Sequence, residues 1–466
     1  MALALSTPTR NDDGISLAIP ILKQRFGERC DTGQSMREQH GHTTTWIPNQ
    51  APDAVVFATS TQDVIDVVEI CRTHQVPIVP FGTGTSLEGH VNAPFGGISV
   101  DMSRMNKILE VHSEDLTCTV EPGVTRKQLN EYLRDQGLMF PIDPGADASI
   151  GGMTATRASG TNAVRYGTMK DNVLSLDAVM PNGELIRTAR RAKKTSAGYD
   201  LTRLLVGSEG TLGLITGITL KLHGIPEAIS AAVCPFPTVD SACNAVIATI
   251  QCGVPVARIE LCDALQMKAI NEYSKLSYPE QPTLFLEFHG TETGVKEQTD
   301  LVAAISEEYG GGPFIFSTKP EERTKLWQAR HDVYWAVLAL RPGAAGIATD
   351  VCVPISRLAE CVEETRADLE RLNLIAPIVG HVGDGNFHAS VLITDDPDEH
   401  RRAGIFLERL AERALAMDGT CTGEHGIGQG KKKYLRAEVG GAVDIMQAIK
   451  SAIDPDNLFN PGKIFA

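Results

Sequence analysis

Val76-Pro77-Ile78-Val79-Pro80 runs into Phe81-Gly82-Thr83-Gly84-Thr85-Ser86-Leu87-Glu88-Gly89, an apolar extended stretch that ends in a loop of glycines and hydroxyls. The apolar part predicts a buried strand. Upstream, Ala54-Val55-Val56-Phe57-Ala58 predicts another, and Ser60-Thr61-Gln62-Asp63 caps a helix whose apolar positions are Val64, Val67, Val68 and Cys71. Strand, helix, strand and glycine loop in that order form a phosphate-cradle layout. Glycines let main-chain N–H groups converge on oxygen atoms, and hydroxyls add further donors. The letters match neither standard nucleotide loop: Leu87 stands where the third glycine of G-x-G-x-x-G falls, and no Gly-Lys-Ser/Thr follows. Taken by itself, the stretch fits a plain glycine turn equally well.

Working outward, two more segments repeat the chemistry. Ile142-Asp143-Pro144-Gly145-Ala146-Asp147-Ala148-Ser149-Ile150-Gly151-Gly152-Met153-Thr154-Ala155-Thr156 passes into Ser159-Gly160-Thr161-Asn162. Gly207-Ser208-Glu209-Gly210-Thr211-Leu212-Gly213 leads into the apolar strand Leu214-Ile215-Thr216-Gly217-Ile218-Thr219-Leu220. Between them, Pro181-Asn182-Gly183 reads as a hairpin turn joining Asp177–Met180 to Glu184–Ile186. Three glycine-rich loops at strand ends, with few aromatics, suit an extended cofactor lying over one domain.

These three segments, in this order across residues 50–222, resemble the FAD-binding domain of the vanillyl-alcohol-oxidase (PCMH-type) flavoprotein superfamily. The resemblance implies that the first loop wraps the pyrophosphate through Pro80, Phe81, Gly82, Thr83, Gly84, Thr85, Ser86 and Leu87. The second would flank the isoalloxazine and ribityl chain through Pro144, Gly145, Ser149, Ile150, Gly151, Gly152, Thr156, Ser159 and Gly160. The third would lie on the adenine side through Glu209, Gly210, Gly213 and Ile215, and Asn460 joins the set from the terminal Asn460-Pro461-Gly462-Lys463. That superfamily often bonds flavin to a His or Cys of the first loop. Thr83 to Ser86 supply neither, so the implied FAD is non-covalent.

The last third carries different chemistry. In Val379-Gly380-His381-Val382-Gly383-Asp384-Gly385-Asn386-Phe387-His388, two glycines, an Asp and an Asn argue against a helix. Asp-Gly between extended apolar residues is a hairpin signal. With Asp384-Gly385 as central turn residues, His381 opposes His388, their β-carbons about 4.5–5.5 Å apart. Two imidazoles so placed can grip one metal ion, although two solvated histidines fit the same letters. Gly419-Thr420-Cys421-Thr422-Gly423-Glu424-His425-Gly426-Ile427-Gly428 adds a carboxylate beside an imidazole in a glycine-dense loop. Two histidines and one carboxylate with open positions make a catalytic metal set: His381, His388 and Glu424 as ligands, with His425 left as acid/base.

Between Gly224-Ile225-Pro226-Glu227, the expected domain boundary, and this region, short strands alternate with helices. Strands are expected at Ile229–Val233, Ala257–Leu261 and Thr283–Phe288, and helices at Val239–Ile250, Ala264–Tyr273 and Val295–Tyr309. The rhythm predicts a largely antiparallel sheet backed by helices. Helix Arg402–Met417 reads as a solvated charged face. Leu326-Trp327-Gln328-Ala329-Arg330-His331-Asp332-Val333-Tyr334-Trp335 offers an arginine suited to bidentate carboxylate recognition, although one arginine on a helix is usually a surface residue or ion-pair partner; Tyr334 lies one helical turn beyond Arg330.

From WQARHDVYWAVLALRPG through TDVCVPISRL, GHVGDGNFH, GTCTGEHGIG and NPGK, the chain resembles the group of FAD-linked D-lactate dehydrogenases, glycolate-oxidase D-subunits and D-2-hydroxyglutarate dehydrogenases. The resemblance implies that Arg330 contacts the substrate carboxylate, that the histidine pair and Glu424 hold a divalent metal (zinc or manganese), and that His425 is the base. The RPG and TDVCVP segments lean to the D-lactate branch. Ala348 stands where the hydroxyglutarate branch carries a lysine, so one carboxylate and a short tail are expected. The implied reaction is D-lactate oxidation to pyruvate with hydride passing to flavin N5. A D-2-hydroxyglutarate dehydrogenase or glycolate oxidoreductase subunit is the alternative on the same frame, and a non-catalytic flavin- or metal-binding partner subunit is the alternative outside it.

Composition sets the frame. The 466 residues exceed one ordinary core. The expected division is an N-terminal helical segment over 1–46 with a helix at Ser16–Phe26, an FAD-binding domain over 47–223, a cap domain over 224–420 with the metal histidines, and a segment over 421–466 returning to the FAD domain. The fold class expected is α+β: a PCMH-type FAD-binding domain of two α/β subdomains plus a cap with an antiparallel sheet backed by helices. A net charge of −15 gives no general attraction for nucleic acid or anionic membrane, so an anionic substrate must be drawn in by local cations. The N-terminal Met1-Ala2-Leu3-Ala4-Leu5 lacks the pattern of a signal peptide, and no apolar run reaches transmembrane length. The ten cysteines contain no C-x-x-C and read as buried thiols of a reducing compartment. A cytoplasmic protein follows, peripheral to the inner membrane at most through its electron acceptor, which a quinone, cytochrome or electron-transfer flavoprotein would supply. A homodimer is left open.

Overall fold

The structure, a computed structural model, describes residues 6–43, 45–331 and 333–466. Met1-Ala2-Leu3-Ala4-Leu5 and Asp332 of the Trp327–Trp335 motif, both read above, lie outside the described residues. The chain divides into two compact units. The first gathers the described part of residues 1–159 with Gly167–Ile225 and Glu424–Ala466; the second comprises Gly160–Tyr166 and Pro226–Gly423.

The first unit has two principal sheets. In one, Ala54–Phe57, Ile98–Asp101 and Ile78–Phe81 run parallel in that spatial order, and Cys30–Asp31 adds an antiparallel edge. Parallel neighbours need a crossover, and helix Thr61–Thr73 provides it. The Ser60 hydroxyl caps that helix by accepting from the Asp63 N–H at 3.2 Å. Its Val64, Val67, Val68 and Cys71 are fully buried, packed with Ala18 and Leu22 of helix Asp12–Phe26. The other edge receives the C-terminal chain: Phe459 pairs in parallel with Ile78, and the Asn460 N–H donates to the Ile78 carbonyl at 2.7 Å. The second sheet is antiparallel, ordered Ile108–His112, Thr117–Val120, Leu214–Lys221, Val173–Val179, Leu185–Arg187. Its last two strands are joined across Pro181-Asn182-Gly183, where Gly183 takes φ +87°.

The second unit is built on one antiparallel sheet, ordered Ile315–Ser317, Ala228–Pro235, Thr283–Gly290, Val256–Cys262, Ile378–Gly380, Asn386–Ile393, Ala345–Ala348. Alternation along Val256–Cys262 sorts the two faces. Ile259 and Leu261 join the large apolar core under helices Val239–Gln251, Glu292–Glu308, Leu358–Arg371 and Pro397–Ala416. Arg258, Glu260 and Cys262 face the other way, where Phe285, Trp327, Val333 and Val379 form a smaller apolar cluster around Cys262. Cysteines are free throughout, eight of the ten buried, and burial pushes the Cys118 and Cys262 thiols up to about 12. Among the described residues no helix is long and apolar enough to cross a membrane.

Candidate active site: cofactor loops and a histidine pair

In the first unit the three glycine loops meet at the end of strand Ile78–Phe81. A β-carbon on Gly82 would come within 2.3 Å of the Ser149 hydroxyl, and one on Gly210, at φ +72°, within 2.3 Å of the Pro80 ring. Only glycine permits either approach. Ser149 caps helix Ile150–Thr156 by accepting from the Gly152 N–H at 3.3 Å, so a helix N-terminus faces the first loop. Among the described residues, the main-chain N–H groups from Gly82 to Leu87 donate to no protein acceptor, and the buried Ser86 hydroxyl has no partner. Unclaimed donors at a strand end beside a helix start fit phosphate oxygens, so these residues fit an FAD pyrophosphate. Pro144 and Gly145 lie in the loop before that helix, and Thr156 returns its hydroxyl to the Gly152 carbonyl at 3.0 Å. Gly213 and Ile215 enter strand Leu214–Lys221. Ser159 closes a segment of the first unit, and Gly160, at φ +142°, opens the short 160–166 segment of the second.

Glu209 has a more specific place than a loop residue beside a cofactor. It is 5% exposed, with φ +54°, and its carboxylate accepts from the Ile427 and Gly428 N–H groups at 2.7 and 2.8 Å. Burial raises its proton affinity, but His90, 3.3 Å away, and the two N–H donors outweigh this and hold the carboxyl below its ordinary range. Asn460 braces the same network, donating to the carbonyls of Glu209 and His90 at 2.7 and 3.1 Å. Glu424 and His425, both half-buried, thus open a loop that is clamped two residues further on. These two arms are scaffold: they fix loops rather than reach outward.

In the second unit the histidine hairpin forms, but not as the two-residue turn expected. Val379, not His381, pairs with His388, and a short 3₁₀ turn at Val382–Asp384 with Gly385 at φ +79° carries the reversal. Packing decides this. Val382 is fully buried, Gly383 lies against Ile259 and Val164, and a β-carbon on Gly385 would strike the Val353 carbonyl at 2.0 Å. His381 and His388 become diagonal neighbours instead, rings 5.4 Å apart at 79°, each with a ring nitrogen within 4.8 Å of the other's. Each ring is held from behind: His381 Nδ1 lies 2.7 Å from Glu260 Oε1, and His388 Nδ1 lies 2.8 Å from the Thr349 carbonyl. Donating Nδ1–H to these acceptors leaves the lone pair on Nε2 of each, the arrangement of metal-binding imidazoles.

Arg330, on helix Pro320–His331, directs Nη2 and Nε onto Glu260 Oε2 at 2.7 and 3.1 Å. The sequence thus places an arginine beside the histidines through a carboxylate that sequence reading passed over. Tyr334 stands apart from this cluster, 42% exposed and edge-on to Trp335. Glu260 is fully buried; desolvation raises its proton affinity, but the His381 imidazole and the Arg330 guanidinium reverse the sign. Asp350, also missed, is 1% exposed; it accepts from Asn386 at 2.8 Å and from the Thr422 hydroxyl at 2.9 Å, and lies 3.8 Å from His388 Nδ1. The signal for Glu260 was present: Arg258 and Glu260 are two charges at alternate positions in a strand apolar on its other face.

The described residues thus combine an anion cradle made of glycine loops with a separate sheet face bearing two back-braced histidines and an arginine. The solved structure of p-cresol methylhydroxylase with substrate bound matches 99% of this chain and 98% of its own at a TM-score of 0.77 and 17% identity, so the fold is PCMH-type. Residues 52–189 match the FAD binding domain and residues 225–464 the C-terminal domain of FAD linked oxidases. The chain belongs to the FAD-linked oxidase family and is an FAD-dependent oxidoreductase. It is 52% identical, over 94% of its length and 89% of the relative's, to the probable mitochondrial D-lactate dehydrogenase of Danio rerio. To the mitochondrial D-lactate dehydrogenase [cytochrome] of Arabidopsis thaliana it is 49% identical over 89% of its length and 73% of the relative's.

Proposed function

We propose that this enzyme oxidises D-lactate, or another short D-2-hydroxyacid, to the 2-oxoacid, with non-covalent FAD and one divalent ion, zinc or manganese. The observation that carries the site is the histidine pair: two imidazoles, each turned by an acceptor behind it so that Nε2 offers its lone pair, next to a half-buried arginine. Glu424 is the third ligand in this reading. Chain continuity supports it: Gly423 is pressed against Asn386 and Asp350, and the next Cα lies about 3.8 Å further along. FAD held by the glycine loops would supply the hydride acceptor, and a divalent ion held by His381, His388 and Glu424 would supply Lewis acidity. Arg330 binds the carboxylate. His425 takes the hydroxyl proton, its ordinary pKa lying near neutrality, and Glu209 keeps the loop behind it rigid. A cytochrome is the proposed acceptor, by analogy with the D-lactate dehydrogenase [cytochrome] of Arabidopsis thaliana.

Anaerobic addition of D-lactate to the purified enzyme tests the reading. Bleaching of the flavin band is expected for the native protein and its loss after chelation. His388→Ala should lower metal content and turnover at least tenfold while flavin content stays native, because the cradle belongs to another unit. A chelator-insensitive enzyme, or an active His388→Ala variant, would remove the metal from the reading.

A further inference from the structure

Glu260 is a fully buried carboxylate in the middle of a sheet, and its two oxygens are divided between two different devices. Oε1 holds His381 through Nδ1; Oε2 holds Arg330 through Nε and Nη2. A buried charge persists only where its partners are well placed, so neither side chain can rotate without leaving one carboxylate oxygen unpaired. His388 differs, because its Nδ1 is held by the Thr349 main-chain carbonyl at 2.8 Å, with the Asp350 carboxylate 3.8 Å away. From this division we infer that Glu260 is a positioning residue that couples the divalent-ion site to the substrate-carboxylate clamp. The inference rests on the functional reading above.

The chemistry of the coupling is direct. A carboxylate behind an imidazole fixes its tautomer and orientation and makes Nε2 a stronger donor to a cation. The same carboxylate, gripping the Nε edge of the guanidinium, fixes its plane and directs the remaining edge. An ion that tightens His381 against Glu260 also stiffens Arg330, and a bound carboxylate on Arg330 acts back on His381. Such coupling is reciprocal in binding free energy. Helix Pro320–His331 has a second tether to the same sheet face, where the Arg258 guanidinium lies 4.9 Å from the Trp327 ring centre, so loss of Glu260 leaves it attached.

The experiment uses the flavin-loaded full-length enzyme, stripped with a chelator and titrated with Mn(II), free ion being read by electron paramagnetic resonance. In Glu260→Gln the amide cannot serve as acceptor to both partners. Mn(II) affinity is expected to fall ten- to a hundredfold, with native flavin absorbance. At saturating Mn(II), KM for D-lactate should rise at least tenfold while kcat changes less. Glu260→Asp retains the charge but is one methylene too short to span both groups; should Glu260→Gln not fold, the same two shifts are expected in this variant. Native Mn(II) affinity, or a native KM at saturating Mn(II), in a folded variant overturns the coupling. A native enzyme that binds neither Mn(II) nor zinc overturns the metal reading itself, a result seen before any variant is made.

Discussion

Arg341 and Arg330 both stand in the substrate domain, and their partners separate their roles. Arg341 donates to Glu399 at 2.8 Å, and Glu399, held also by the Thr394 hydroxyl and N–H, is driven down to about 2. That arginine is paired with a carboxylate whose other partner is Thr394, whereas Glu260 holds Arg330 beside His381. With Ala348 where a lysine would otherwise stand, a dicarboxylate would leave one charge unpaired, at a cost of about several kcal/mol. We therefore expect kcat/KM for D-lactate to exceed that for D-2-hydroxyglutarate by at least a hundredfold; the reverse order makes Arg341 the first residue to mutate. Arg330→Lys loses the forked geometry and should reduce kcat/KM for D-lactate ten- to a hundredfold, the value of one charged hydrogen bond of about 1.5–3 kcal/mol. Near-native turnover would remove the clamp. Of these residues, the nearness of His381 to His388 was legible in their spacing, and Arg330 stood out through the resemblance of its motif. Asp350 was not, and Glu260 only as a charge alternating with Arg258, since their roles come from partners distant in sequence: Arg330 is 70 residues from Glu260, and His381 is 121.

The strands and helices of the second unit followed their periodicity closely, because apolar alternation and capping residues act locally: Thr238, Asp263 and Thr291 each cap the helix they precede. The hairpin turn did not, because the burial of Val382 and the tight fit of Gly383 and Gly385 come from residues remote in the chain. Asp263 shows the cost of a cap inside a core. Its carboxylate accepts from the Gln266 N–H at 2.8 Å but is 7% exposed, and burial pushes it up to about 6 despite that bond. A carboxyl raised in the fold favours folding below its ordinary value near 3.9, and that contribution is lost as pH rises through 6. Asp263→Asn keeps the cap and removes the charge. It should melt above the native protein at pH 8, with the gap closing by pH 5, as differential scanning calorimetry would measure. A gap that widens on acidification refutes the assignment.

For the molecule as a whole, the order of the three glycine loops was legible, and with it the flavin fold. What the letters did not carry was the division of labour, in which Glu209 and Asn460 hold the cradle and the 424–428 loop together from within. Because no His or Cys stands between Thr83 and Ser86, acid precipitation should release the flavin into the supernatant; yellow colour retained in the pellet would establish a covalent link. The pairing of Leu458–Asn460 with Ile78 bears on how the protein is made. The sheet beneath the first glycine loop gains that partner only once synthesis has passed Asn460, after the whole of the second unit has been made. The nucleotide-binding half, though begun first, is finished last. A chain that stops before Leu458 therefore carries a cradle whose supporting sheet has an open edge.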